Sequence, residues 1–364
     1  KALDVAKADA LLKPIQVVPG AIVHTVGGIA GAATLTAGWA LGKAHAKLGK
    51  AKLATDSEAF KLGFRAWLTC NGIWPTVLCE CGPYGNDLGP LPQDPMLRRK
   101  MLRSTAIIVS NHVSYLDTVI LPLVLEVPKL VAMKEVQEYP LFGQLCQDMD
   151  MVWVDRKSED SRRAAKEAIL EHAKDWQDGQ RSLLIWPEGT TSNGLGIKDF
   201  RAGAFSPGVP VRPVIIKYTG DWDPANTQFR ESSESPKESA EATPTSGAED
   251  YGDSEWVQQF LGHLVHSCTV LICKPYYPTS EEKADPELYK ANVHKLMSER
   301  LIELSEHEDK LKREREERKG LDRTDLMQGV ENLLTAAGRR LSETSEQVQP
   351  WLQKQLWLQK ILRG

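Results

Sequence analysis

An α/β fold, a sheet covered by helices, is what this 364-residue sequence predicts, and three observations carry that expectation. Between Ser104 and Tyr218, short β-branched runs alternate with helical ones, the pattern of strands joined by helices that lie on the sheet's faces. Two polar clusters rich in reactive side chains each follow such a run directly, and α/β sheets expose reactive groups at the C-terminal ends of their strands. The chain is also long enough to bury a full core within one large domain.

In chain order, the first feature is the stretch between Lys13 and Lys43, which holds no formally charged residue. It exceeds the ~20 residues that a helix needs to cross a hydrocarbon core. Pro19, His24 and glycines at 20, 27, 28, 31, 38 and 42 leave three readings open: a lipid-exposed span, a re-entrant or helix-packed membrane segment, or a small-residue helix buried in a soluble domain. The flanking lysines suit interfacial anchors, so residues 1–63 are expected to form a membrane-associated N-terminal segment. Residue 1 is Lys, and the numbering is expected to begin inside a longer chain. Phe64 to Cys81, with Trp67 and Trp74, is a second apolar stretch that fits either an interfacial segment or a core helix. The Gly/Pro/Asp-rich run from Gly82 to Pro95 reads as a loop into the main domain.

Strands are expected at Thr105–Val109, Leu130–Met133, Met151–Val154, Ser182–Trp186 and Val211–Lys217, with an apolar helix over Thr118–Leu125. The clearest helix follows the third strand. Ala165, Ala168, Ile169, His172, Ala173 and Trp176 share one face at 3.6-residue spacing, with Ser158 as N-cap and His172 a packed or half-exposed histidine. Residues 231–254 hold seven acidic side chains against the single Lys237, too little apolar surface to order a segment, so they read as a flexible acidic insertion. Order is expected again from Trp256, with a strand at Cys268–Cys273 and a helix around Pro286–Leu304, which closes the main domain at 64–304. A charged and amphipathic helical tail takes up 305–364: the mixed charges of His307–Lys319 read as a solvated helix face, and Trp351 to Leu362 suits a membrane surface, a partner helix or the domain itself.

Composition narrows the function classes. Lys+Arg 45 against Asp+Glu 49 creates no basic field, so nucleic acid is not an expected partner. The six cysteines, at 70, 79, 81, 146, 268 and 273, lack paired zinc spacing and read as reduced thiols of a cytosol-facing protein; no metal site is expected.

The chemistry concentrates in Ser110-Asn111-His112-Val113-Ser114-Tyr115-Leu116-Asp117. Residues five apart on a regular helix point about 140° apart, so His112 and Asp117 meet only if His112 stays in the turn and Asp117 opens the helix. In that geometry the carboxylate accepts from imidazole Nδ1–H and leaves Nε2 as a general base. No serine or cysteine accompanies the pair in a recognisable nucleophile elbow. A second cluster, Trp186-Pro187-Glu188-Gly189-Thr190-Thr191-Ser192-Asn193, sets donors around a turn that suits a phosphate. A third segment ends in Asp155-Arg156, where an arginine suits a phosphate, and a fourth, Gly208-Val209-Pro210-Val211-Arg212-Pro213-Val214, suits an apolar wall. Taken singly, each has an ordinary reading as a helix cap, a strand-end turn, a surface arginine or a strand start.

Together and in this order, the four segments resemble the glycerolipid acyltransferase family that includes the lysophosphatidic acid acyltransferases. The resemblance runs over about Phe64 to Leu304 and is made specific by the His112/Asp117 pair with Glu188-Gly189-Thr190 about 75 residues later. It implies a mixed sheet flanked by helices, acyl-CoA as co-substrate with no cofactor, and direct attack by a lysolipid hydroxyl on the thioester. By the same resemblance His112 is the base and Asp117 its support, Arg156 holds the acceptor's phosphate, Glu188, Gly189 and Thr190 position the acceptor, Asn111 belongs to the substrate-binding set, and Val209–Val214, with Pro210, line the acyl side. Many members carry arginine directly after Glu-Gly-Thr. Here that position is Thr191, a form similar to the lysophosphatidylcholine and lysophosphatidylethanolamine acyltransferase branch, with Lys198 and Arg201 as candidates for the missing positive charge. The expectation is therefore a membrane enzyme of the endoplasmic reticulum, its site facing the cytosol, that acylates a lysophospholipid. The alternatives are a lysophosphatidic acid acyltransferase making phosphatidic acid, a hydrolase, and a non-catalytic lipid-binding scaffold. Nothing in the sequence indicates a protein partner.

Overall fold

The computed structural model describes residues 5–80, 88–134, 137, 146–154, 159–219, 224–225, 227–229, 248–250 and 253–342. Lys1–Leu304 forms one compact unit, and Ser305–Gly364 forms a second, helical through Ser342 in its described part.

The chain begins with two helices, α1 (Val5–Lys47) and α2 (Glu58–Cys70), packed closely on each other. Ser57 caps α2 by accepting from Ala59 N, and Phe60, Phe64 and Leu68 recur every fourth residue to form its buried face. Small residues set how closely the two helices approach. A Cβ on Gly38 would lie 2.6 Å from Ala59 O, and one on Gly63 would lie 2.5 Å from Thr34 O. The candidate membrane segment is thus one uninterrupted helix that uses its glycines against α2. Among the described residues no helix is long and apolar enough to cross a membrane.

The stretch from Phe64 to Cys81 is not a single segment. The turn at Asn71-Gly72, with Gly72 at φ +71°, ends α2 and turns the chain into strand β1 (Ile73–Cys79). There follow β2 (Gly89–Pro90), α3 (Pro95–Leu102), β3 (Ile107–Ser110), α4 (Asp117–Val124), β4 (Lys129–Met133), β5 (Val152–Val154), α5 (Glu159–Asp175), β6 (Leu183–Ile185) and β7 (Val211–Tyr218). A short pair, β8 (Thr227–Phe229) and β9 (Ala248–Asp250), precedes α6 (Asp253–Gly262), β10 (His266–Ile272), α7 (Ser280–Ala284) and α8 (Pro286–Ser342).

Eight strands form a mixed sheet in the order β2-β1-β10-β7-β3-β6-β4-β5. The five from β7 to β5 are parallel, β10 runs antiparallel to β7, and β1 is parallel to β10. Alternate residues feed two cores. Ile108, Val214, Ile216, Val270 and Ile272 pack with α2 and α4 on one face. Ile107, Val109, Ile215 and Leu271 pack on the other face with Ile169 and Ala173 of α5 and with Tyr289, Val293, Met297 and Leu301 of α8. Burial on both faces is why these strands read as unbroken apolar runs.

Three expectations change. The expected acidic insertion at 231–254 is left earlier than Ser254, because Ala248–Asp250 finds backbone partners in Thr227–Phe229 and α6 begins at Asp253. Cys79 is disulfide-bonded, so the reduced-thiol reading holds for Cys70, Cys146, Cys268 and Cys273 but not for all six. The last helix does not stop at Leu304 but continues to Ser342. Residues 231–247, Ser158 and Trp351 to Leu362 lie outside the described residues.

Candidate active site

Because β3 and β6 are adjacent and parallel, the loops leaving their C-terminal ends share one edge of the sheet. The first loop carries His112 and the second carries Glu188. His112 stays in the turn and Asp117 is the first residue of α4, so Nδ1 stands 2.9 Å from Oδ2. That oxygen also accepts from Val113 N at 2.6 Å and Ser114 N at 2.9 Å, while Oδ1 accepts from the Tyr218 hydroxyl at 2.7 Å. Asp117 is fully buried, and its charge is met by these four donors together with the start of α4, where the helix dipole favours an anion. An ionised carboxylate can only accept, so His112 Nδ1 carries the proton and Nε2 keeps its lone pair. The imidazole retains 14% exposure, and its face stacks on Trp186 with ring centroids 4.8 Å apart.

Glu188 joins the two loops. One carboxylate oxygen accepts from His112 N at 2.7 Å and the other from Lys198 N at 2.9 Å. Burial pushes its carboxyl above the ordinary range, opposed first by those two backbone donors. Ser192 adds a second tie, since its N–H donates to His112 O at 2.7 Å and its hydroxyl to the same oxygen at 3.1 Å. The backbone around His112 is therefore fixed from the opposite loop. Gly189 takes φ +72°, and a Cβ there would meet the Arg201 guanidinium at 2.7 Å, so Arg201 lies directly against the Glu-Gly-Thr turn. Lys198 Nζ donates to Thr191 O at 2.7 Å; Thr191 is half-buried, and Thr190 before it is exposed. Both candidate cations thus stand at the turn that lacks the following arginine.

Two other candidates lie elsewhere. Asn111 is buried, and its side chain continues the sheet: Nδ2 donates to Ile216 O and Oδ1 accepts from Ile216 N, each at 2.9 Å. Pro210 precedes β7, level with Ala106 in the β3 register, about 15–20 Å along the strand from His112. Val211 and Val214 beyond it are fully buried in the two cores, and Arg212 is buried with its guanidinium on Cys273 O, Met101 O and the Ser104 hydroxyl. Arg156 lies outside the described residues. Sequence reading missed Tyr218, one residue past the expected strand end, and the stacking role of Trp186, which opens the second cluster; neither position carried a sign of that duty.

Residues 93–217 match the Acyltransferase family. The chain is 32% identical over 199 residues to lysophospholipid acyltransferase LPEAT1 of Arabidopsis thaliana, covering 52% of this chain and 43% of that protein. It is 30% identical over 194 residues to human lysophosphatidylcholine acyltransferase 1, covering 53% and 32%, and 32% identical over 178 residues to LPEAT2 of Arabidopsis thaliana, covering 46% and 32%. The chain therefore spans less than half the length of these curated relatives. Among solved structures, the 1-acyl-sn-glycerophosphate acyltransferase of Thermotoga maritima overlaps it at 18% identity with a TM-score of 0.38, covering 69% of this chain and 81% of that one.

Proposed function

We propose, from the premise that this chain carries an acyltransferase-family domain at residues 93–217, that it transfers an acyl group from acyl-CoA to the free hydroxyl of a lysophospholipid. The observation that carries the reading is the 2.9 Å contact between His112 Nδ1 and the buried, four-donor carboxylate of Asp117, which leaves Nε2 free to act as a base on a ring that keeps partial exposure.

In this reaction His112 Nε2 takes the proton of the acceptor hydroxyl as its oxygen attacks the thioester carbonyl. The tetrahedral intermediate then collapses, the C–S bond breaks, and the CoA thiolate leaves with the proton that His112 had gained. The charge of Asp117 supports the imidazolium between the two steps. No acyl-enzyme is required. The Ser192 hydroxyl is directed at the His112 carbonyl, and Ser110 and Ser114 are buried.

Glu188 acts by holding the two loops in register, and the Gly189-Thr190-Thr191 turn with Lys198 and Arg201 receives the acceptor's phosphate. In this reading Arg156 adds to that charge from its own loop. With threonine in place of a following arginine, a choline or ethanolamine phosphodiester suits the turn better than the dianionic phosphate of lysophosphatidate. The relatives named as lysophospholipid and lysophosphatidylcholine acyltransferases favour the same acceptor class. The N-terminal segment, residues 1–63, rests on a membrane, with Val26, Ile29 and Leu41 exposed on α1; the membrane is that of the endoplasmic reticulum, and the site faces the cytosol.

The test is acyl transfer by the full chain with one acyl-CoA and lysophospholipids that differ only in headgroup, following both CoA release and the diacyl product. Transfer to the choline or ethanolamine acceptor supports the reading. Preference for lysophosphatidate would move it to phosphatidic acid synthesis, and thioester loss without acceptor to a hydrolase. Acyl-CoA binding with no CoA release would make the chain a scaffold.

A further inference from the structure

The acid of the catalytic pair is held from two directions. Three of its four donors, His112 Nδ1, Val113 N and Ser114 N, come from the five residues before it and all converge on Oδ2. The fourth comes from across the sheet: the Tyr218 hydroxyl, at the last residue of β7, donates to Oδ1 at 2.7 Å. Tyr218 is itself set by the loop that carries the base, because Asn111 clamps both backbone groups of Ile216 two residues earlier. Its backbone pairs with Cys268 of β10, and its phenol receives a further hydrogen bond from the Ser114 side chain. The base, its carboxylate, the tyrosine and the asparagine beside the base thus form a closed circuit.

We propose that Tyr218 is a positioning residue of the transfer reaction, fixing the plane of the Asp117 carboxylate and lowering the proton affinity of His112 through it. A donor on Oδ1 draws negative charge away from Oδ2, and a less basic Oδ2 stabilises the imidazolium less. Burial, and then the charge of Asp117, push the Tyr218 phenol well above its ordinary range, so it remains a protonated donor throughout the working pH of the base. The geometry also explains why the residue is aromatic. The hydroxyl must reach from a sheet strand to the far oxygen of a carboxylate at the start of α4, and the ring between them packs against the core cluster beneath that helix.

The role in catalysis rests on the acyl-transfer reading above, so the decisive measurement is one that does not need turnover. His112 is titrated by NMR of histidine-labelled full chain, with its signal assigned by its loss in His112→Ala. The wild type is compared with Tyr218→Phe and with a chain carrying 3-fluorotyrosine at 218, which keeps the ring and donates more strongly. Tyr218→Phe is expected to raise the His112 pKa by about 0.5 unit, and the fluorinated side chain to lower it. The acid limb of kcat/KM for acyl transfer should move in the same directions, with kcat/KM at the optimum falling roughly 10-fold in Tyr218→Phe, as for loss of one charge-assisted hydrogen bond. A residue that merely filled space would change stability and leave the titration where it was. An unmoved His112 titration in the folded variants overturns the proposal. If Tyr218→Phe does not fold, the fluorotyrosine chain decides alone. A shifted titration in a chain that transfers no acyl group would uphold the coupling and overturn the acyl-transfer reading instead.

Discussion

At the scale of single residues, Asp117 orders the site more than His112 does. It alone is met by four donors, and the imidazole takes its tautomer from it. Asp117→Asn presents an amide where both oxygens are required as acceptors, so either Tyr218 or the Val113 and Ser114 amides face a donor. Turnover should fall by roughly 10²–10⁴-fold with acyl-CoA affinity largely kept, which a kcat and KM comparison on the purified chain would test. Asn111→Ala attacks the site from the sheet side. It leaves the Ile216 N–H and C=O without their side-chain partners in a buried strand, a cost of about 2–4 kcal/mol that chemical denaturation would reveal. The sequence disclosed the His112–Asp117 pair because a turn followed by a helix start leaves few ways to arrange the five-residue spacing. It did not disclose Tyr218, whose partner is a hundred positions away in sequence and beside it only through the β3–β7 pairing.

Among elements, the contact between α1 and α2 is set by backbone proximity. Gly38 and Gly63 face each other with no room for a methyl group, so Gly38→Leu must push the helices apart. The expected result is a lower melting temperature and faster proteolysis between α1 and α2; an unchanged melting temperature would mean the helices do not pack this way. The junction of α4 with β4 is held by charge. Lys61, fully buried in α2, bonds to Glu126, which also accepts from Arg98 at 3.0 Å. Glu126 and Val127 take φ of 60° and 57°, a left-handed turn that is strained at a β-branched residue and persists because this pairing holds it. None of this was legible as such: in the sequence Lys61 is one more polar residue on an amphipathic helix, and Glu126 is a residue after an apolar run. The helix at Glu159–Asp175 was legible, because its buried face follows from periodicity alone, and His172 Nε2 donates to the Ala106 carbonyl as a packed histidine would. The split of Phe64–Cys81 into helix and strand was not, since apolar composition serves both and the decision lay with Gly72 and a strand partner, β10, nearly two hundred residues downstream.

For the molecule as a whole, two ion-paired carboxylates, the half-buried Asp56 and the buried Glu126, tie stability to pH. Burial on its own would raise both, but Arg181 and Arg103 outweigh it at Asp56, and Lys61 and Arg98 outweigh it at Glu126, so both carboxyls lie below their ordinary values. A carboxyl depressed by folding adds stability that is complete above its unfolded pKa, roughly 4–4.5, and is lost as the pH falls through the folded value. The melting temperature should thus be insensitive to these groups from about pH 7 to 5 and drop below about pH 4. Lys61→Met should cost about 3 kcal/mol at pH 7 by leaving a buried carboxylate short of a partner, and the gap to wild type should narrow in acid as Glu126 takes up a proton.

Acyl transfer with His112→Ala beside wild type tests the central claim most directly, in membranes containing equal amounts of folded chain, with one acyl-CoA and the preferred lysophospholipid. Removal of the base should lower kcat by roughly 10²–10⁴-fold while the melting temperature stays near that of wild type, because the imidazole is partly exposed and its backbone ties to Glu188 and Ser192 do not involve the side chain. Transfer by His112→Ala at near the wild-type rate would contradict the account.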